Sequence, residues 1–255
     1  MEPSQKPSKA DSNPHAGAAQ GAWDLHWLSL GNGRSRSLFG LGSSAVRRLI
    51  FQPAVRFFLD KYFPAEGVFI ETGCGTGESS ASVPRRNRQF IGIDFSTVAL
   101  EQAQSTDCFD SLLCADLFHL PFQAGTVDGI WNLGVMEHFE RAALVESLTE
   151  FRRVLKPGGT IVLFWPAEAN LSRWVLGPLE LLRSAVTRRR FRFFPDEVSR
   201  LRSRQQAVEI LRKAGFTVLD VDFSLRTAFI HMVVVGRSPV PSGLIASTER
   251  LASVC

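Results

Sequence analysis

Residues 71–80 read ETGCGTGESS and follow directly on Phe69 and Ile70. Three glycines alternate with small residues at the end of a short apolar run. Alternate glycines let a backbone bend sharply and approach a bound molecule closely, because no Cβ stands in the way. The loop does not name that molecule, and its neighbours must be read to find it.

From Val68 onward, short apolar runs alternate with helical patterns. Strands are expected near 68–72, 89–94, 110–115, 126–131 and 159–165, with helices between them. The clearest helix, 139–155, carries Leu144, Val145, Leu148, Phe151 and Leu155 on one stripe. LKPGG at 155–159 is expected to end it, since Pro157 cannot continue a helix and Gly158 and Gly159 turn the chain. A helix near 204–214, capped by Gly215, and strands near 216–223 and 227–236 complete the pattern. The connection around Ser224–Arg226 is too short for a parallel crossover, so the last two strands must run antiparallel. The fold class is α/β: a Rossmann-like, doubly wound, mostly parallel sheet with an antiparallel C-terminal strand. Ligands of such sheets sit at the carboxyl ends of the strands, where strand order reverses. The glycine loop stands at that place.

The flanks are read differently. Residues 1–20 are polar and rich in Pro, Ser and Ala, which predicts a disordered tail without the apolar core of a secretory signal. Residues 21–66 form a helical lead-in, with Pro53 marking a break or the first turn of a new helix. The domain proper spans 67–238, interrupted by an insertion at about 166–203, and 239–255 is a C-terminal tail. No apolar stretch reaches membrane-span length, and the expected location is the cytoplasm. The chain has 255 residues, 45% of them apolar, and a net charge of +4. Its four cysteines, Cys74, Cys108, Cys114 and Cys255, show neither CxxC pairing nor metal-finger spacing and read as reduced, non-ligating thiols. The charge is uneven: Arg183–Arg204 holds eight arginines, and a second basic stretch runs from Arg34 to Lys61. Such runs face water by default, or an anionic partner.

A dinucleotide fingerprint fails, because its third glycine position is Glu78, and no Gly-Lys-Ser/Thr follows for a P-loop. The remaining G-x-G-x-G is weak by itself. Asp94 ends FIGID, where a carboxylate can accept from both hydroxyls of a ribose; it could equally cap the next helix, a job open to Ser96. Asp116, one strand further, could accept the amine of an adenine, with Phe95 as an apolar wall. Glu71 closes the first strand. Three acids at equivalent strand ends, with no lysine or arginine among these elements, suit an adenosine carrying positive charge. S-adenosyl-L-methionine meets that description, whereas NAD and ATP do not.

ETGCGTG, the acid of GIDFS, ADLFHLPF, NLGVMEHF and LKPGG occur in this order over about a hundred residues. Segment 68–165 thereby resembles the class I S-adenosylmethionine-dependent methyltransferases, and within them the small-molecule group that includes ubiquinone/menaquinone and sterol C-methyltransferases. The family's seven-stranded sheet agrees with the antiparallel final pair. The resemblance implies that Gly73, Cys74, Gly75 and Gly77 line the methionine part of the cofactor, with Glu71 near its amino group. It implies that Asp94 takes the ribose hydroxyls and Phe95 contacts the adenine, whose amine edge meets Asp116 and Leu117. Asn132 and Leu133 would lie beside the reacting methyl. Thr72 departs from the aliphatic residue commonest at its position.

Methyl transfer of this kind needs alignment of a nucleophile and exclusion of water. No metal is expected. His138, after the fourth strand, is the candidate general base for a hydroxyl, phenol or acidic carbon; alternatively it braces the loop. Glu137 suits the helix N-terminus that follows, and His119 and His231 read as structural. Trp165, Trp174, Leu176, Leu179, Leu181 and Leu182 could cover an apolar acceptor as a lid, or pack on the sheet. Arg188–Arg190 and Arg192 could clamp phosphate or carboxylate, lie on an anionic membrane surface, or face solvent. Phe191, Phe193 and Phe194 interleave with these arginines, as in nucleic-acid binders. An RNA or protein methyltransferase, for which the basic insertion is the main support, is the enzymatic alternative; it ranks lower because NLGV stands where amino-group nucleic-acid methyltransferases carry Asn/Asp-Pro-Pro-Tyr/Phe. The acceptor expected is a small-molecule, lipid-linked or glycan substrate; a regulator that binds the cofactor without turnover is the non-enzymatic alternative.

Overall fold

The computed structural model describes residues 21, 23–25, 27–28, 44–169 and 198–241. The expected N-terminal tail, most of the insertion with its arginine run, Cys255 and nearly all of the C-terminal tail lie outside the described residues. Seven strands form one sheet in the order β3-β2-β1-β4-β5-β7-β6. They are β1 Glu66–Thr72, β2 Asn87–Asp94, β3 Ser111–Cys114, β4 Val127–Leu133, β5 Leu155–Pro166, β6 Thr217–Asp222 and β7 His231–Arg237. The first five pair in parallel, and β7 runs antiparallel to both neighbours. This is the sheet expected from the sequence. Strand order reverses between β1 and β4, so the loops after those two strands face each other across the switch point.

The central strands are buried on both faces, which is why they read as nearly continuous apolar runs. The two faces differ in kind. One is largely aliphatic: Ile70, Ile130 and Leu163 meet Leu148 and Phe151 of helix α3 (Arg141–Val154) and Ile210 of α4 (Arg204–Lys213). The other is aromatic: Phe69, Phe90, Trp131 and Phe164 pack on Phe58 and Leu59 of α1 (Gln52–Tyr62) and on Phe63. Each such buried side chain contributes about 1.5–3 kcal/mol relative to exposure. Gly129 lets Phe63 and Phe69 stack over β4, because a Cβ there would lie 2.8 Å from the Phe63 ring.

Four local expectations are refined. Pro53 sits in the first turn of α1, entered through one π turn, Arg47–Phe51, in which the Gln52 N–H bonds the Arg47 carbonyl. Proline lacks an N–H and its ring crowds the carbonyl four residues back, which favours such a wider turn. LKPGG stops the helix as expected, with α3 ending at Val154 and Leu155 as its C-cap, but instead of turning the chain 155–159 open β5. Leu155 stands opposite Val127, and the register then shifts before Gly129 pairs with Thr160; Gly158 supplies the left-handed φ of +79° within that irregularity. Between β6 and β7 the chain makes a 3-10 turn, Leu225–Thr227, so β7 begins at His231. Of the two readings of Trp165, lid or packing on the sheet, the second holds: it is a fully buried core residue of β5 whose Nε1 donates to the Ser199 carbonyl at 2.8 Å.

Candidate active site

The sequence-predicted residues converge on the strand ends at the switch point. β2 delivers Asp94, which is 5% exposed. Its Oδ2 accepts from the Gly75 N–H at 2.8 Å and its Oδ1 from the Ser96 N–H at 2.9 Å. The carboxylate therefore ties the glycine loop to the end of β2, and each oxygen keeps further acceptor capacity. Ser96, not Asp94, caps helix α2 (Thr97–Ala103), accepting from the Ala99 N–H at 3.2 Å. Burial raises the Asp94 pKa, opposed by its backbone N–H bonds.

The three glycines do three different jobs. Gly73 (φ +65°) lets the β1 loop nest against the β4 loop: a Cβ would lie 2.5 Å from Val135 Cγ2. Gly77 (φ +72°) packs on Thr106, Cys108 and Phe109, turned into the protein. Gly75 (φ +53°) presents its bare face to the segment ahead of the domain, with a built Cβ 2.9 Å from the Trp27 ring. Cys74 is buried between them, and burial raises its thiol pKa strongly. The thiol is a packing group rather than a nucleophile.

Glu71 ends β1 at 3% exposure. Ser80 Oγ donates to its Oε2 at 2.6 Å, and Trp131 Nε1 donates to the same hydroxyl at 3.2 Å. Burial, added to by the nearby Asp94 charge, pushes its pKa up to about 8. Such a group at a strand end is charged at neutral pH only when a cation or further donors reach it. Asp116 lies more openly after β3, its Oδ1 accepting from the Phe118 N–H at 3.0 Å. Leu117 packs on the edge of the aliphatic core, and Phe95 is half-buried after Asp94. Asn132 is wholly buried near the end of β4, its Nδ2 directed at Met136 Sδ (3.1 Å) while Oδ1 has no hydrogen-bond partner. Leu133 follows it, partly buried against the aromatic cluster. A bare loop, an orphaned amide oxygen and buried acids with spare lone pairs fit a cationic adenosine cofactor.

His138 stands in a 3-10 turn, Met136–His138, with Nε2 3.9 Å from Glu137 Oε1. The Trp23 ring meets its imidazole edge-on at 4.9 Å. His119 lies on the surface beside Asp116, whereas His231 is buried against the Phe51 ring. Two contributors to this region escape a reading of motifs. One is the N-terminal helical segment with Trp23, Asp24 and Trp27; the spacing of the two tryptophans, four residues apart, is the signal that marks them as one helix face. The other is the return from the insertion, where Val198 and Ser199 N–H groups bond the Glu137 carbonyl at 2.7 and 2.9 Å. Among the described residues no group of His, Cys, Asp or Glu is arranged to hold a metal ion.

Residues 70–163 match the family described as a methyltransferase domain. This segment is a class I S-adenosylmethionine-dependent methyltransferase domain. Around it the chain is 29% identical over 197 residues to a malonyl-[acyl-carrier protein] O-methyltransferase of Herminiimonas arsenicoxydans, covering 76% of this chain and 67% of that protein. It is 32% identical over 120 residues to the human "Probable tRNA methyltransferase 9B", covering 46% of this chain and 25% of that one. The chain spans about half or less of the length of the first curated relatives it matches. In fold, the methyltransferase domain resembles magnesium protoporphyrin IX methyltransferase from Synechocystis PCC 6803 with bound SAH, at TM-score 0.59 and 16% identity over 89% of this chain and 99% of that one. The cofactor of this domain type is S-adenosylmethionine. Among the described residues, no helix is long and apolar enough to cross a membrane.

Proposed function

We propose that the chain transfers a methyl group from S-adenosylmethionine to a small-molecule or lipid-linked acceptor. The observation that carries this reading is Asp94, held by the Gly75 and Ser96 N–H groups at the tip of β2 with lone pairs to spare. Asp94 takes the ribose hydroxyls, Asp116 and Leu117 the amine edge of the adenine, and Phe95 its face. Glu71 compensates the cationic end of the methionine arm, which runs past Gly73, Cys74, Gly75 and Gly77 toward Asn132 and Leu133. The cofactor supplies an electrophilic methyl group on a good leaving group; the chain's task is alignment and exclusion of water. His138 accepts the acceptor's proton where that acceptor is a hydroxyl or an acidic carbon.

The insertion over 166–203 covers the acceptor. Its two stems support that reading: the Glu168 N–H bonds the Leu201 carbonyl at 2.8 Å, joining the stems, and Ser199 Oγ donates to the Met136 carbonyl at 3.0 Å, in the turn that bears His138. The relative matched over the larger share of this chain methylates an oxygen on a carrier-bound acid by its name, which favours a small acceptor group over a folded nucleic acid. Calorimetric titration with S-adenosylhomocysteine tests the cofactor assignment, and absence of binding overturns it. Incubation of fractionated cell extract with isotopically labelled methyl donor tests the acceptor. Label in the metabolite or lipid fraction is expected; label in RNA or protein would replace the proposed acceptor class.

A further inference from the structure

The segment ahead of residue 44 touches the cofactor crevice at three separate points. The Trp27 ring lies on the bare face of Gly75, so closely that a Cβ there would collide with it at 2.9 Å. Asp24 Oδ1 accepts a hydrogen bond from the Ser96 hydroxyl, on the residue whose N–H Asp94 holds. The Trp23 ring meets the His138 imidazole edge-on at 4.9 Å, and Gln102 Nε2 donates to the Trp27 carbonyl at 3.4 Å. One helical face thus reaches the glycine loop, the end of β2 and the loop after β4. Trp23 and Trp27 brace each other with ring centroids 6.4 Å apart.

We propose that Trp23, Asp24 and Trp27 form the outer wall of the cofactor crevice, with Trp27 retaining the bound cofactor and Trp23 positioning His138. This rests on the cofactor reading given above. A crevice at strand ends is open on its solvent side unless another element covers it, and here the cover lies more than forty residues ahead of the glycine loop. The chemistry suits the task. Indole rings offer broad apolar area at low conformational cost, and their faces favour a neighbouring cation. Asp24 anchors the wall through Ser96 and adds a further negative charge near Asp94, which suits a sulfonium and opposes a phosphate. Leu25 and Leu28, on other faces of the same segment, are 69% and 47% exposed, so neither of these two leucines is buried against the domain. The described contacts of this cover to the crevice are those of its tryptophans and one aspartate, and such a cover can lift for cofactor exchange.

The test is stopped-flow binding and release of S-adenosylhomocysteine by the full chain carrying Trp27→Ala, Trp27→Phe or Asp24→Asn, with folding checked by circular dichroism. Trp27→Ala is expected to speed release at least tenfold and weaken affinity, with Trp27→Phe recovering much of the loss; Asp24→Asn shifts release in the same direction by a smaller factor. Unchanged release in a folded Trp27→Ala chain that still binds would overturn the wall. Tighter binding would overturn it too, because the indole would then be competing with the cofactor. Failure of the unsubstituted chain to bind S-adenosylhomocysteine would instead refute the cofactor reading beneath it.

Discussion

The two halves of the crevice are built by opposite means. On the β1–β2 side, residues within a span of 71–96 hold one another, Asp94 bonding Gly75 and Ser96 and Glu71 bonding Ser80, and Trp27 and Asp24 only lie over that arrangement from outside. Beyond β4, the loop 134–139 is held by distant chain, with Trp23 at His138 and Ser199 at Met136. A half assembled from its own backbone is preformed, whereas a half assembled from remote segments can vary without disturbing the first. Cofactor chemistry is constant and acceptor chemistry is not, and the division matches that need.

The two halves meet at Gly73, and the largest predicted effect is there. Gly73→Ala forces a left-handed residue to carry a Cβ, costing about 1–2 kcal/mol, and drives that Cβ into Val135, costing about 1–3 kcal/mol more. Chemical denaturation should show a loss of several kcal/mol. Adding Val135→Ala should restore the steric share and leave the backbone share. No recovery in the double variant would mean that the halves do not meet through this pair.

Asp94→Ala tests the preformed half. It leaves the Gly75 and Ser96 N–H groups without their acceptor, a cost of about 1–3 kcal/mol for each group that stays buried. Affinity for S-adenosylhomocysteine should fall by more than tenfold in calorimetry. An unchanged affinity would remove Asp94 from the site.

How much of this was visible in the sequence follows the same division. Asp94, the glycines and the seven strands are legible because their signals are local: a doubly buried parallel strand is a continuous apolar run, and a bare turn must contain glycine. LKPGG marks the end of the helix but not what comes after it. Proline and glycine forbid helix, but they do not say whether the chain then turns or starts a strand, and Leu155 opposite Val127 decides that through a partner far away. Trp165 stays open in the sequence because an apolar residue next to an insertion reads the same whether it faces a ligand or the core. The wall of Trp23, Asp24 and Trp27 has no local motif, since its partners Gly75, Ser96 and His138 lie 48 to 115 residues further on. A single sequence carries no sign of such pairings.

Titration distinguishes the strand-end acid of the crevice from a buried histidine elsewhere in the fold. Glu71 is raised to about 8 by burial, so the folded chain binds a proton that the unfolded chain, with an ordinary carboxyl near 4.5, releases. Stability of the ligand-free chain therefore falls as pH rises from about 5 to 8. Glu71→Gln should flatten that slope in thermal melts taken between those pH values. A cationic cofactor beside Glu71 favours its charged form, so binding near pH 7 should release a proton, seen as a dependence of calorimetric enthalpy on buffer ionisation. His231, outside the proposed site, gives the opposite sign. Burial lowers its pKa to about 3, so its contribution is present above about 6.5 and is lost as pH falls toward 3. His231→Phe should flatten this acid limb and steepen the decline between about pH 5 and 6.5, where the two contributions oppose each other; if it flattened the decline above pH 6.5, the assignment of that limb to Glu71 would be wrong.

The smallest effect is expected at Ser199, on the remote side. Its hydroxyl gives one hydrogen bond to the Met136 carbonyl, while its N–H and carbonyl remain engaged with Glu137 and Trp165. Ser199→Ala should thus cost about 1 kcal/mol or less, the net value of a single neutral hydrogen bond. Affinity for S-adenosylhomocysteine should not move, because nothing on the β1–β2 side depends on that bond. Methyl transfer to the acceptor, once identified, should respond more than stability does, since the bond fixes the stem of the insertion against the loop that carries His138. A change in cofactor affinity with no change in transfer would invert the proposed division and place this stem on the cofactor's side of the crevice.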